Sequence, residues 1–166
     1  MENSKNEKMP ESIKRAKVIK IEVKRILDEN PDLSFLETTP EYHYGTDGSN
    51  WAHVPEDDIQ KVVKQYGSIW NVCIAYAKQD KERLDAYNRG DWKMIGIKAV
   101  ATIHIPTNDN NVNVQNIYSK GLWGIESDSD DDYIKDIGRE QIAEVKQYLR
   151  ILYVDGIDDC DIIFND

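Results

Sequence analysis

The chain has 166 residues, 31% of them charged and 40% hydrophobic, with a net charge of -10. That length fits one domain with a modest core, and no apolar run approaches the roughly 20 residues needed to cross a bilayer. The negative balance weighs against general nucleic-acid binding, because phosphates would be repelled. Cys73 and Cys160 are too far apart in sequence to suggest a disulfide framework or a zinc cluster. The opening MENSKNEKMPESIKR lacks an apolar h-region, so no secretory signal is expected, and reduced thiols in a cytoplasm follow. Charge is unevenly placed. Residues 1–27 are net positive, whereas residues 126–136 and 151–166 are acidic.

Residues 1–12 read as a frayed, polar lead-in. From Lys17 to Lys24, Ile19, Ile21 and Val23 alternate with charged residues, which predicts a strand with one wet face. A helix from Glu11 to Leu27 is the rival, and the alternation of β-branched residues favours the strand. Pro31 marks a turn, after which Leu33, Phe35 and Leu36 tuck back on the core. Residues 37–55, with two prolines and two glycines, read as a long irregular loop anchored by Trp51. Pro55-Glu56-Asp57-Asp58 opens a helix whose stripe is Ile59, Val62, Val63 and Tyr66. Gly67-Ser68 breaks it. A second helix is expected from Ser68 to Asn88, with Ile69, Val72, Cys73, Tyr76, Ala77, Asp80, Leu84 and Tyr87 on one face. Gly90 ends it.

Trp92 to Pro106 is the strongest strand signal, with Ile95, Ile97, Ala99, Ala101, Ile103 and Ile105 on one face. After a polar turn over Thr107–Asn111, residues Val112 to Ser119 pair back as a hairpin, with Val112, Val114 and Ile117 in its core. A long helix follows from Asp130 to Tyr153, with Ile134, Ile137, Ile142, Val145, Leu149 and Leu152 inward. Cys160 to Phe164 suggests a short closing strand. The pattern predicts one α+β domain over residues 1–166: a small antiparallel sheet of three or four strands, helices packed on one side, and an acidic C-terminal tail over 154–166.

The acidic junction beginning at Glu126 is the main candidate for chemistry. Asp128, Asp130 and Asp132 have the alternate spacing of an EF-hand start, but Tyr133 stands where that loop needs glycine and Arg139 where it needs glutamate. A looser cation site from Glu126, Asp128 and Asp130 competes with helix capping by Ser129 or Asp130, and capping is favoured. His43, His53 and His104 have no His or Cys partner at ligand spacing. Asp80, on an apolar stripe, is expected to pair with Arg83 or Arg89. Trp92 and Trp123 are assigned to the core. No Walker loop, dinucleotide fingerprint or nucleophile elbow appears. No catalytic residue, metal or cofactor is therefore assigned.

Several segments in order carry a resemblance: PDLSFL at 31–36, RLDAYNRGDW at 83–92, GIKAVA at 96–101, GLWGIESDS at 121–129 and EQIAE at 140–144. Together they resemble a group of small uncharacterised proteins of phages, prophages and other mobile elements. The resemblance spans roughly residues 17–152 and implies no activity. A mobile-element origin implies an antagonist of host defence, of the anti-CRISPR or anti-restriction type. The expected partner is the basic surface of a host nucleic-acid-binding protein, with no direct nucleic-acid or membrane contact. The expected contact residues are Glu126, Asp128, Asp130, Asp131 and Asp132, with Asp155, Asp158, Asp159 and Asp161 as a second patch. Two other readings stand: a metal-dependent enzyme acting on nucleic acid, and a structural or regulatory phage protein, for which a homodimer through an apolar sheet face would fit.

Overall fold

A computed structural model of the chain describes residues 15–107 and 111–165. The lead-in over residues 1–12 and the middle of the turn after Thr107 lie outside the described residues. In chain order the elements are β1 (Lys17–Leu27), α1 (Pro40–Tyr44), a 3₁₀ turn (Thr46–Trp51), α2 (Glu56–Tyr66), α3 (Ile69–Arg89), β2 (Met94–Pro106), β3 (Val112–Tyr118), β4 (Leu122–Glu126), α4 (Asp131–Ile151) and β5 (Asp161–Phe164). The class is α+β with a mostly antiparallel open sheet. The sheet has five strands rather than three or four. The difference comes from the GLWGIE segment, which pairs with β2 as β4. The chain divides into two compact units. A sheet unit holds the chain through Leu27, Ile95–Ile125 and the chain from Ser129. A helical unit holds Asp28–Met94 and Glu126–Asp128.

In the sheet unit the strand order is β3-β2-β1-β5, and β4 pairs with β2 beside that path. β2 is antiparallel to both β1 and β3, while β5 runs parallel to β1. The period of two in β2 places Ile95, Ile97, Ala99, Ala101 and Ile103 in one core with Ile134, Ile137, Ile142, Val145 and Leu149 of α4. The alternation of β2 and the stripe of α4 up to Leu149 therefore meet their sequence expectation.

Three details differ from that expectation, each for a local reason. In β1 the register slips between Val18 and Lys20, so Val18 faces Ile103 while Lys20 faces Thr102. This β-bulge adds a residue and reverses the phase of the strand before it. Val18, Ile21 and Val23 are the inward residues, and Ile19 lies toward solvent. In β3, Val112 and Val114 are exposed and only Ile117 packs against the core, because Ile117 stands beside Ala101 on the core face whereas Val112 and Val114, beside Pro106 and His104, lie on the opposite face. In α4 the last helical residue is Ile151, so Leu152 leaves the stripe and is exposed. Tyr153 follows with φ at 54°, in the left-handed region.

Trp123 also departs from the buried role read for it. It is 46% exposed, with its ring laid over Gly96 of β2. A Cβ at position 96 would sit 2.5 Å from the Trp123 ring. The missing side chain of the glycine is what lets the indole lie flat on the strand.

In the helical unit, α3 begins at Ser68, whose hydroxyl accepts the Asn71 N–H at 3.1 Å. Its end is Gly90, left-handed at φ 82°. Val72, Cys73 and Ala77 are its buried residues. The stretch read as irregular contains α1 and the 3₁₀ turn. Pro40 starts α1, where a missing N–H costs nothing. The indole N–H of Trp51 donates to the His43 carbonyl at 3.1 Å, and the Asn50 amide donates to the Tyr42 carbonyl at 2.7 Å. Trp51 thus ties the loop as its position suggested.

Candidate functional site

Arg83 is the centre of the densest polar arrangement in the helical unit. α3 carries it near the C-terminal end of the helix. Its guanidinium donates to both carboxylate oxygens of Asp128, at 2.8 and 2.6 Å, and to Glu126 at 2.5 Å. This is the planar fork meeting a carboxylate that arginine alone among side chains provides. The same guanidinium lies over the Trp92 ring, 4.0 Å from its centroid. The Trp92 N–H returns to the Arg83 carbonyl at 3.0 Å, and Tyr87 meets the indole edge-on. Ser127 closes the group: its N–H donates to the Lys93 carbonyl at 2.8 Å, and its hydroxyl accepts the Lys93 N–H at 2.9 Å.

The electrostatics follow from that geometry. The Asp128 carboxyl is held below the usual carboxylate range, first by its hydrogen bond from Arg83 and then by the charge of that group, against an opposing desolvation. Arg83 is pushed further above its already high value, first by the Asp128 hydrogen bond. Glu126 and Asp128 are therefore bound to a cation within their own unit. One cation balances one of their two charges, and the segment acts as a clasp between the end of α3 and the chain around Trp92.

The remaining members of the acidic junction, in the sheet unit, have other partners. Asp130 caps α4, its Oδ1 accepting the N–H groups of Asp132 at 2.9 Å and Tyr133 at 3.4 Å. Asp131 stands 3.8 Å from Arg25, and Asp132 stands 3.7 Å from Lys135. Both are highly exposed at the positive end of the α4 dipole. Among the described residues, no three His, Cys, Asp or Glu side chains are gathered as a metal site.

The second acidic patch is arranged differently. α4 ends in Ile151, and Ile151, Leu152 and Tyr153 are exposed in succession, Tyr153 by 78%. The chain then returns to the sheet. Asp155 donates its N–H to the Ala16 carbonyl, and its carbonyl accepts from Val18. The Asp155 carboxylate lies outward, 3.8 Å from Arg15. Asp158 is within 4 Å of Lys146 and Arg150, while Asp159 and Asp161 are exposed. The result is an exposed apolar run followed along the chain by exposed carboxylates, of which Asp155 and Asp158 have cations nearby. Cys160, between those aspartates, is free and half-buried, and burial raises its thiol pKa.

One further group was not visible in the sequence. Asp80 pairs with neither Arg83 nor Arg89. Its carboxylate accepts the Glu37 N–H at 3.1 Å and lies 3.2 Å from Nε2 of His43. Nε2 also lies 2.8 Å from the Glu37 carbonyl, which only a ring N–H can satisfy. Arg89 turns instead to Asp91. The polar residue on an apolar stripe signalled a buried partner, but nothing in the spacing identified a histidine so far up the chain.

No family model, curated protein or solved structure matches this chain.

Proposed function

We propose that this chain is a non-enzymatic binding protein that docks on a basic protein surface and blocks a nucleic-acid-handling complex. The observation that carries the reading is the exposed run Ile151-Leu152-Tyr153, followed closely by Asp155, Asp158, Asp159 and Asp161. Exposed apolar side chains in succession are uncommon on a protein that acts alone, and tyrosine is a frequent centre of binding energy. Exposed carboxylates so close along the chain steer such a run toward lysine- and arginine-rich surfaces and speed the encounter. A net charge of -10 supports the same preference over long range. Arg83 holds Glu126 and Asp128 in short hydrogen bonds, whereas Asp131, Asp132, Asp155 and Asp158 stand 3.4–3.8 Å from their cations and are more exposed, so the weight of the proposal rests on the C-terminal patch, with Asp131 and Asp132 as a second contact. The mobile-element resemblance directs it to a host defence complex, a CRISPR effector or restriction enzyme.

Titrating the chain into purified complexes of both kinds while following DNA cleavage tests this. The expected result is inhibition that saturates near one chain per complex and weakens as salt rises. Tyr153→Ser combined with Asp155→Asn, Asp158→Asn and Asp159→Asn should reduce affinity by about a hundredfold, since a central aromatic and several steering charges are lost. Full inhibition by that variant would refute the proposal.

A further inference from the structure

β3 ends the sheet, and among the described residues no strand lies beyond it. Natural proteins protect such edges with charge, proline or shortness. β3 has none of these. Its seven residues, Val-Asn-Val-Gln-Asn-Ile-Tyr, carry no charge and no proline, in a chain that is 31% charged. The opposite edge is guarded: β5 has four residues and begins with Asp161. Strand β1, between them, contains Lys17, Lys20, Glu22, Lys24 and Arg25.

The hydrogen-bond phase of β3 follows from one contact. Ser119 donates its N–H to the Ala99 carbonyl, continuing the register in which Val100 faces Tyr118. Antiparallel ladders alternate, so Asn113, Gln115 and Ile117 turn their backbone groups toward β2. The N–H and C=O groups of Val112, Val114, Asn116 and Tyr118 point out of the sheet. The side chains of Val112, Val114 and Tyr118 share one face of the strand and are at least half exposed. Lys98 holds its ammonium 5.1 Å from the centre of the Tyr118 ring, which supports the ring on that face.

We infer that β3 is the docking edge for a second copy of this chain, paired antiparallel about Gln115. That register joins every outward backbone group of the strand, because residues 112 and 118 face each other across the two-fold axis, as do 114 and 116. Val112 meets the tyrosine of the other copy, an aromatic–β-branched pair of the kind that stabilises sheets. Gln115 meets itself at a position without ladder hydrogen bonds. Charge selects the occupant. Two copies at -10 repel one another, and close approach is cheapest where no like charge must be desolvated. The strand itself has no carboxylate for a basic partner and no cation for a nucleic acid, and Lys98 of the neighbouring strand is engaged with the Tyr118 ring. Its own uncharged complement is the strand that fits.

Sedimentation equilibrium of the full chain should show a reversible dimer. Val114→Lys should raise the dimer dissociation constant about tenfold or more, since an edge lysine opposes pairing. Val114 is 61% exposed, so the fold should tolerate the change, which circular dichroism checks. Val114→Lys with Asn116→Glu should restore the dimer, because the two positions oppose each other between copies. Independently, Gln115→Cys in a Cys160→Ser background should give a disulfide-linked dimer with oxidised glutathione, because non-hydrogen-bonded pairs bring Cα atoms to about 4.5 Å. A monomer at every concentration, a dimer unaffected by Val114→Lys, a double variant no tighter than the single one, or no cross-link would each overturn the inference. These outcomes are separate from the cleavage assay, which reads the C-terminal patch.

Discussion

Replacing Arg83 by alanine removes three interactions together: the two-pronged contact with Asp128, the bond to Glu126, and the cation above Trp92. The side chains involved are between 30% and 46% exposed, so each ion pair is worth the surface figure of about 0.2–1 kcal/mol rather than a buried value. The cation–π contact adds about 0.5–1 kcal/mol at such a site. Removing the cation also leaves Glu126 and Asp128 to repel each other. The expected destabilisation is about 2 kcal/mol, close to a thirtyfold change in the unfolding equilibrium. Urea denaturation followed by tryptophan fluorescence measures it. Arg83→Lys should recover less than half, because an ammonium keeps the charge but not the fork. A double-mutant cycle with Asp128→Asn should give a coupling of about 1 kcal/mol. The parent should also lose stability in acid more steeply than the alanine variant. The Asp128 pKa is lowered by folding, so its contribution is present above the unfolded carboxylate value and disappears as pH falls through the folded one. An alanine variant within about 0.5 kcal/mol of the parent, the usual spread of surface substitutions, would refute the clasp.

Other substitutions probe separate features. Gly96→Ala should cost about 1–3 kcal/mol by driving a methyl group into the Trp123 ring, and Trp123→Ala in the same chain should relieve part of that cost, as thermal melts would show. Asp130→Ala should destabilise by about 1 kcal/mol through loss of the α4 cap, measurable by urea titration. Deleting Ile19 should leave the β1–β2 ladder in register, because Val18 keeps Ile103 and Lys20 keeps Thr102 without the extra residue, whereas inserting one residue between Ile21 and Val23 should turn one side of the strand outward; hydrogen exchange along β1 distinguishes them.

The periodic elements were legible because their periods are long and unbroken. The isoleucines and alanines of β2, and Ile134, Ile137, Ile142, Val145 and Leu149 of α4, fix both faces without help from elsewhere. Ser68, Asp130 and Gly90 were legible as ends because capping chemistry is local. The inward set of β1 was not, because a single inserted residue reverses a period of two and leaves no trace in composition. The exposure of Val112 and Val114 follows from the register of β3 on β2, which puts them on the face opposite Ile117 and could not be read from the hairpin pattern alone. The partner of Asp80 is a histidine brought close by the packing of α1 and α3, so spacing pointed to the wrong arginines. The acidic junction was legible as a concentration of charge but not as a division of labour. Arg83, a member of the stretch RLDAYNRGDW, takes up two of its five carboxylates, Glu126 and Asp128.

The clasp changes what shared wording between sequences would mean here. Arg83, Trp92 and the run Glu126-Ser127-Asp128 answer to one another, so drift at any of these positions would have to be matched at the others. Two relatives could keep this grammar while their outer strands and helix ends diverge without limit. Kinship traced through it would report a common chassis, and the loads carried would have to be sought at Tyr153 and along Val112 to Tyr118.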